Sequence, residues 1–164
     1  MGWKYTSETF QISAGVVEGA PNTFEQTTIN LNLDSLSREI LVIQYCDLNV
    51  FPADLVAGFA TTSTANLSDG SLTSTSTLAN ARVIAVATNV VEYDGVAAVV
   101  SSNAEPVFGN YGESPLFITA TDDLFLSVLG NGNAQAKSAQ VRIWARRARA
   151  DADTYAAILT SQFN

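Results

Sequence analysis

The chain has 164 residues, a formal net charge of −8, no histidine and one cysteine, Cys46. Those counts exclude Ser-His and Cys-His nucleophiles, zinc held by thiolate or imidazole, an intramolecular disulfide, and general attraction of the whole molecule to a polyanion. The length predicts one domain over 1–164, large enough to bury roughly 70% of its unfolded surface.

Charged residues make up 15% of the chain, against about 25% in typical soluble domains, while the apolar share of 47% is ordinary. Ser, Thr, Asn and Ala fill the gap. Hydroxyls and amides cost far less to desolvate than ions. Such an exterior suits a subunit with many neighbours, and equally a secreted β-domain. The stretch Met1 to Phe10 lacks the apolar core of a signal peptide, and no apolar run approaches the ~20 residues of a membrane span.

In chain order, Trp3 to Ile12 alternates loosely and predicts an edge strand. Gly15 to Asn22 reads as a loop. From Phe24 the alternation sharpens, with Ile29, Leu31 and Leu33 against Thr28, Asn30 and Asn32, the pattern of a half-buried strand. Asp34 to Ser37 turns the chain. Glu39 to Leu48 carries bulk on both faces and predicts a central strand.

Asp69-Gly70 is the strongest short hairpin signal. It predicts an exposed or subunit-contacting hairpin with arms Gly58–Ser68 and Ser71–Leu78, both poor in bulk. Ala81 to Tyr93 predicts a long strand, and Asp94-Gly95 a second hairpin leading to Val96–Val100. Ser101 to Ser114 reads as a long surface loop. Leu116–Thr121 and Leu124–Leu129 predict strands separated by Asp122-Asp123, and Gly130 to Asn133 a glycine-rich turn.

The last strand begins at Lys137. Gln140, Arg142, Trp144 and Arg146 share its outer face, and Val141, Ile143 and Ala145 a core stripe. Arginines flanking Trp144 predict stacked cation–π contacts. From about Ala145 helix propensity rises. Asp151 or Asp153 can cap a helix of roughly three turns in which Tyr155, Ile158, Leu159 and Gln162 recur at helical spacing. Five of the eight basic residues lie between Lys137 and Arg149. They can pair with acids of the same subunit, with those of a neighbour, or with nucleic acid. Against sixteen acidic residues, internal pairing is the simplest account.

Chemistry-bearing motifs are sparse. Glu92/Asp94 and Asp122/Asp123 are candidate carboxylate pairs for a hydrolase, but both flank turns, where Asp is favoured by local hydrogen bonding. Calcium is the one metal the loops suit, through Asp122, Asp123 and carbonyls, with a solvated turn the simpler reading. Gly130 to Lys137 matches neither phosphate-loop nor dinucleotide spacing. Asn66-Leu67-Ser68 is a formal glycosylation sequon. No cofactor and no enzymatic activity are expected.

Eight to ten short strands with turns every 8–12 residues predict an all-β fold, an antiparallel β-sandwich. With this length and an appended helix at about 150–162, the chain resembles the single jelly-roll coat proteins of non-enveloped viruses. The resemblance is architectural and spans most of the chain. It implies a jelly-roll-like sandwich and a non-enzymatic, self-assembling capsid subunit, made in the host cytoplasm and located in the virion. Its partners would be copies of itself and other virion proteins. Many such coats carry a long basic N-terminal arm. The short, nearly neutral start here implies that genome contact falls to another component or that the inner face is only weakly basic. Contacts would fall on Arg142, Trp144, Arg146, Arg147, Arg149, Tyr155, Ile158 and Leu159. The rival reading is an extracellular carbohydrate- or surface-binding β-sandwich module.

Overall fold

The computed structural model describes residues 2–102, 107–108 and 114–163. Among these residues eleven strands and one helix follow in order. They are β1 (Trp3–Tyr5), β2 (Phe10–Val17), β3 (Glu25–Asn30), β4 (Glu39–Val50), β5 (Thr61–Ser68), β6 (Val83–Tyr93), β7 (Ala98–Ser102), β8 (Val107–Phe108), β9 (Phe117–Thr119), β10 (Asp123–Asn131), β11 (Ser138–Ala150) and α1 (Ala152–Phe163).

The pairings nest. β5 pairs with β6, β4 with β9, β3 with β10 and β2 with β11, each antiparallel. One long hairpin is thereby rolled into two sheets, which is jelly-roll connectivity. In one sheet β11 lies between β4 and the β1/β2 edge, with β8 and β9 on the far side of β4; the other runs β3-β10-β5-β6-β7. The expected all-β antiparallel sandwich with a short C-terminal helix is what the chain forms.

Between the sheets Leu41, Ile43, Cys46 and Leu48 of β4 meet Ala65, Leu67, Ala87, Leu124, Leu126 and Val128, all essentially without solvent exposure. Small residues on β5 and β6 face large ones on β4, so side-chain volumes interlock. Ile40 and Val42 point the other way and form a second cluster with Ala120, Ala148 and Ala150. Strand β4 is therefore buried on both faces, as its sequence predicts.

Several local expectations change. The 15–22 loop is shorter than expected, because β2 continues through Gly15 to Val17, held by pairing with β11. Asp69-Gly70 forms no two-residue hairpin, and Ser71–Leu78 is no strand. Such a turn needs positive φ at both central residues, and Gly70 is not at positive φ. Instead β5 is a buried inner strand. The 71–80 segment lies over Asn66, whose amide donates to Ser76 C=O and accepts from Ser76 N–H (2.9 and 2.7 Å). Fully buried Asn66 leaves a glycan no access.

The second hairpin forms as expected, with Gly95 at φ 94° and Asp94 accepting from Val96 and Ala97 N–H. Of the expected 101–114 loop, residues 103–106 and 109–113 lie outside the described residues. Ser101 and Ser102 belong to β7, and Val107–Phe108 form β8.

One end of the sandwich is closed by a polar knot that the sequence pattern did not announce. Lys137, expected as part of a surface basic patch, is fully buried. Its Nζ donates to Asp54 Oδ1 (2.5 Å) and Pro52 C=O (2.9 Å) and sits 5.3 Å from the Phe51 ring centre. Buried Glu18 accepts from the Gly130 and Lys137 N–H groups (2.6 and 2.8 Å), and Asp54 Oδ2 from those of Ala134 and Gln135. Asn133 joins Asn22, Asp54 N–H and Thr62 C=O. A Cβ at Gly130 would lie 2.7 Å from the Asn133 amide nitrogen, which is held by its bond to Thr62 C=O.

The hydrogen bond from Lys137 holds the Asp54 carboxyl below its ordinary value of 3.8. Asp54 therefore adds stability above that value and loses it as pH falls through its lower folded pKa. We predict that Asp54→Ala, by stranding the Lys137 ammonium, costs about 3–5 kcal/mol in denaturant unfolding. The double variant Asp54→Leu/Lys137→Met should recover most of that loss. The stability of Asp54→Asn should also fall less than the parent's between about pH 5 and about pH 2.

Candidate functional site: the outer face of the last strand and its helix

The basic stretch enters β11, which stays a strand to Ala150, beyond the Ala145 handover that local propensity suggests. Pairing on both flanks decides this. Ala139 to Arg149 pair with β4, Ser138 to Ala145 with β2, and Ala148 to Ala150 with β1. A strand held on two sides satisfies its backbone fully, which outweighs a few tenths of a kcal/mol per residue of helix preference. The ladder shifts at Trp144/Ala145, where β4 carries the extra residue Gln44.

Alternation along β11 follows the expected faces. Val141, Ile143 and Ala145 are buried between the sheets, and Gln140, Arg142, Trp144 and Arg146 lie outside. On that outer face Arg142 stands opposite Asp47 and Ser13, and Trp144 opposite Tyr45 and Gln11. The Tyr45 and Trp144 rings lie 4.4 Å apart at 56°. Arg146 stacks on Tyr5 rather than on Trp144, with its guanidinium 3.8 Å from the ring centre, and its Nε donates to Ser7 C=O. The expected cation–π contact exists, but β1 supplies its ring.

Arg147 and Arg149 project to the other side, level with Leu41 and Glu39. Arg147 donates to Leu31 C=O (2.7 Å), Asn32 C=O (3.2 Å) and Glu39 Oε2 (2.8 Å). It ties the β3–β4 turn, where Asn32 holds φ 51°, to β11. Arg149 is exposed beside Asp34 and Ser37 in a small recess of about 130 Å³. Asp34 caps its own turn, and the Ser37 hydroxyl holds its carboxyl below the ordinary value. The five basic residues thus do not form one patch: Lys137 is inside, Arg142 and Arg146 face outward, and Arg147 and Arg149 lie at the sandwich end.

Of the two caps the sequence offers, Asp151 is the one that caps α1, accepting from Thr154 N–H (2.8 Å). Tyr155, Ile158 and Leu159 are half-buried against Ile40, Val42, Ala120, Ala148 and Ala150, with Trp3 and Ile118 alongside. Gln162 exchanges hydrogen bonds with Thr119 Oγ1 (2.9 Å) and Ala120 N–H (3.2 Å). The helix is docked on its own sheet. None of its side chains is fully buried, so its far side faces outward.

Beside Arg142 the outer sheet face holds a shallow polar groove of about 600 Å³, walled by Ser13, Gly15, Asp47, Asn49 and Gln140. The candidate carboxylates serve turns elsewhere: Asp94 as above, and Asp122 by accepting from Leu33 N–H (2.7 Å). Tyr5 and Tyr45 were missed as partners because only the register across β1, β4 and β11 brings them to the arginines and Trp144. Among the described residues no helix is long and apolar enough to cross a membrane.

No family model matches the chain, and no curated protein matches it in sequence. A solved structure from Desmodium yellow mottle tymovirus superposes over 85% of this chain and 88% of that one, at 7% identity and a TM-score of 0.29. So loose a superposition carries no argument, and the fold class rests on the nested strand pairing.

The arginines divide into a stapling residue and solvent-facing ones. Arg147→Ala should lower unfolding free energy by about 2 kcal/mol, whereas Arg142→Ala and Arg149→Ala should stay within about 0.5 kcal/mol. Tyr155, Ile158 and Leu159 truncated together to Ala should cost more than any of these, about 1–2 kcal/mol per residue, in the same denaturant titration.

Proposed function

We propose that this chain is a non-enzymatic, self-assembling structural subunit, and specifically a coat protein of a virion. The observation that carries the reading is a rolled-hairpin sandwich whose surface is poor in charge and rich in grouped apolar side chains. Val96, Val99 and Val100 stand exposed on and beside β7, and Phe51, Leu55 and Phe59 on the segment after β4. Scattered exposed apolar residues are ordinary on a monomer, but groups of them mark contact surfaces. Hydroxyl- and amide-rich strands around them desolvate at low cost, which suits many modest interfaces repeated over a shell.

The electrostatics support the same assignment. With net charge −8 and two outward arginines on the β11 face, the subunit offers a polyanion little. Genome contact would then belong to another component of the particle, with copies of this chain as its main partners. The carbohydrate-binding alternative draws less support. It needs aromatic rings lining a groove, and the walls of the groove beside Arg142 carry none.

Sedimentation velocity and electron microscopy of the purified protein should show discrete large particles whose formation depends on salt or protein concentration. A chain that stays monomeric at high concentration across salt and calcium conditions would sink the coat reading. Binding on a glycan array would favour the alternative.

A further inference from the structure

The edge strand β7 offers a surface whose chemistry fits one partner, a second copy of itself. Among the described residues β7 pairs only with β6. Beyond Val91 the hairpin runs clear of the sandwich, with Glu92 to Ser101 exposed on both faces. Sheet edges are normally protected by charge, proline, a bulge or a covering element. Strand β7 reads Ala-Val-Val-Ser-Ser, with no charge and no proline, and its ladder to β6 is regular.

The backbone polarity of that edge follows from the hairpin. Asp94 N–H donates to Ala97 C=O (3.3 Å), which makes 94:97 the closing hydrogen-bonded pair. Alternation then turns Ala97, Val99 and Ser101 toward β6. Ala98, Val100 and Ser102 turn their N–H and C=O groups to the free edge.

We propose that β7 pairs antiparallel with β7 of a second copy about a two-fold axis at Val100, joining two five-stranded sheets into one of ten. The self-complementarity is specific. Val100 meets Val100, Ala98 meets Ser102, and Ser102 meets Ala98, so all three outward residues become hydrogen-bonded pairs. Shifting by one residue would oppose outward groups to inward ones. No like charges oppose each other on the paired strands, which carry none. A five-residue strand pair buries less than a standard interface of ~1,600 Å². It is weak alone and gains strength from repetition in an assembly. The proposal therefore rests on the self-assembly reading above and names its two-fold contact.

Full-length variants test it. Val100→Cys under mild oxidation should give a covalent species of twice the chain mass. The axis pair sits at about 5.5 Å between Cα atoms, within the ~4.4–6.8 Å a disulfide spans. Native Cys46 does not compete, because it is buried and burial pushes its thiol up to about 12. Val96→Cys, on the more exposed hairpin tip (91% against 57% for Val100), should cross-link far less. Equal yields from the two would mean random collision and overturn the pairing.

Val100→Pro removes an N–H that points away from β6, so it should fold like the parent and lose its particles. Should it fail to fold, Val100→Lys keeps the backbone intact, sets like charges at the axis, and should show the same loss. Parent-like particles from a folded variant would overturn the β7 pairing and leave the coat reading standing. A parent that never assembles would remove the coat reading, and the Val100→Cys cross-link alone would then decide the edge.

Discussion

The ladder between β4 and β11 is the constraint on which the rest depends. Eleven residue pairs, from Ala139↔Val50 to Arg149↔Glu39, join two strands that other strands flank on either side. One face of this pair supplies Leu41, Ile43, Val141 and Ile143 to the core between the sheets. The opposite face supplies Ile40, Val42, Ala148 and Ala150 to the helix. Both hydrophobic clusters are thus organised by one pair of strands. Its alternation of large and small side chains leaves room for α1, because alanines at 148 and 150 let the helix approach.

The ends of the sandwich are closed differently from its middle. At one end Glu18 accepts from the Gly130 and Lys137 N–H groups and Asp54 from those of Ala134 and Gln135, while Asn133 accepts from Asp54 N–H and the Lys137 ammonium donates to Asp54. At the other, Arg147 satisfies two carbonyls of the β3–β4 turn and pairs with Glu39. Turn backbone groups that point inward need a partner, and a charged side chain that meets several of them offsets its own desolvation. The same device recurs at the surface, where Asp34, Asp94 and Asp151 each cap a turn or helix and are held below the ordinary carboxylate value by the hydrogen bonds they accept. In the described residues, much of the scarce charge serves the fold.

That use of charge bears on function. With the buried and capping residues set aside, the exterior is mostly uncharged, and apolar groups gather on the β7 hairpin and on the segment after β4. A surface with so little local charge does little to steer a charged ligand. On the outer β11 face Arg142 stands opposite Asp47, and Trp144 lies tilted against Tyr45.

The sequence by itself determined the class of fold, the two-sided burial of Glu39–Leu48, the core stripe of Val141, Ile143 and Ala145, the Asp94-Gly95 hairpin and a helix cap at Asp151 or Asp153. Each of these depends on residues close together in the chain, through period-2 alternation or hydrogen bonds within a turn. Only the tertiary structure decided the rest. It kept Ala145–Ala150 in a strand because partners stood on both sides. It turned Asp69-Gly70 from a hairpin into the start of a long connection, because β5 was needed inside the second sheet. It also scattered the basic cluster, drawing Lys137 inward to Asp54, Arg146 to Tyr5 and Arg147 to the 31–39 turn. Those partners lie 83, 141 and over 100 residues away along the chain. A pattern confined to neighbours in sequence holds no information about which distant strand will supply the matching acid, ring or carbonyl.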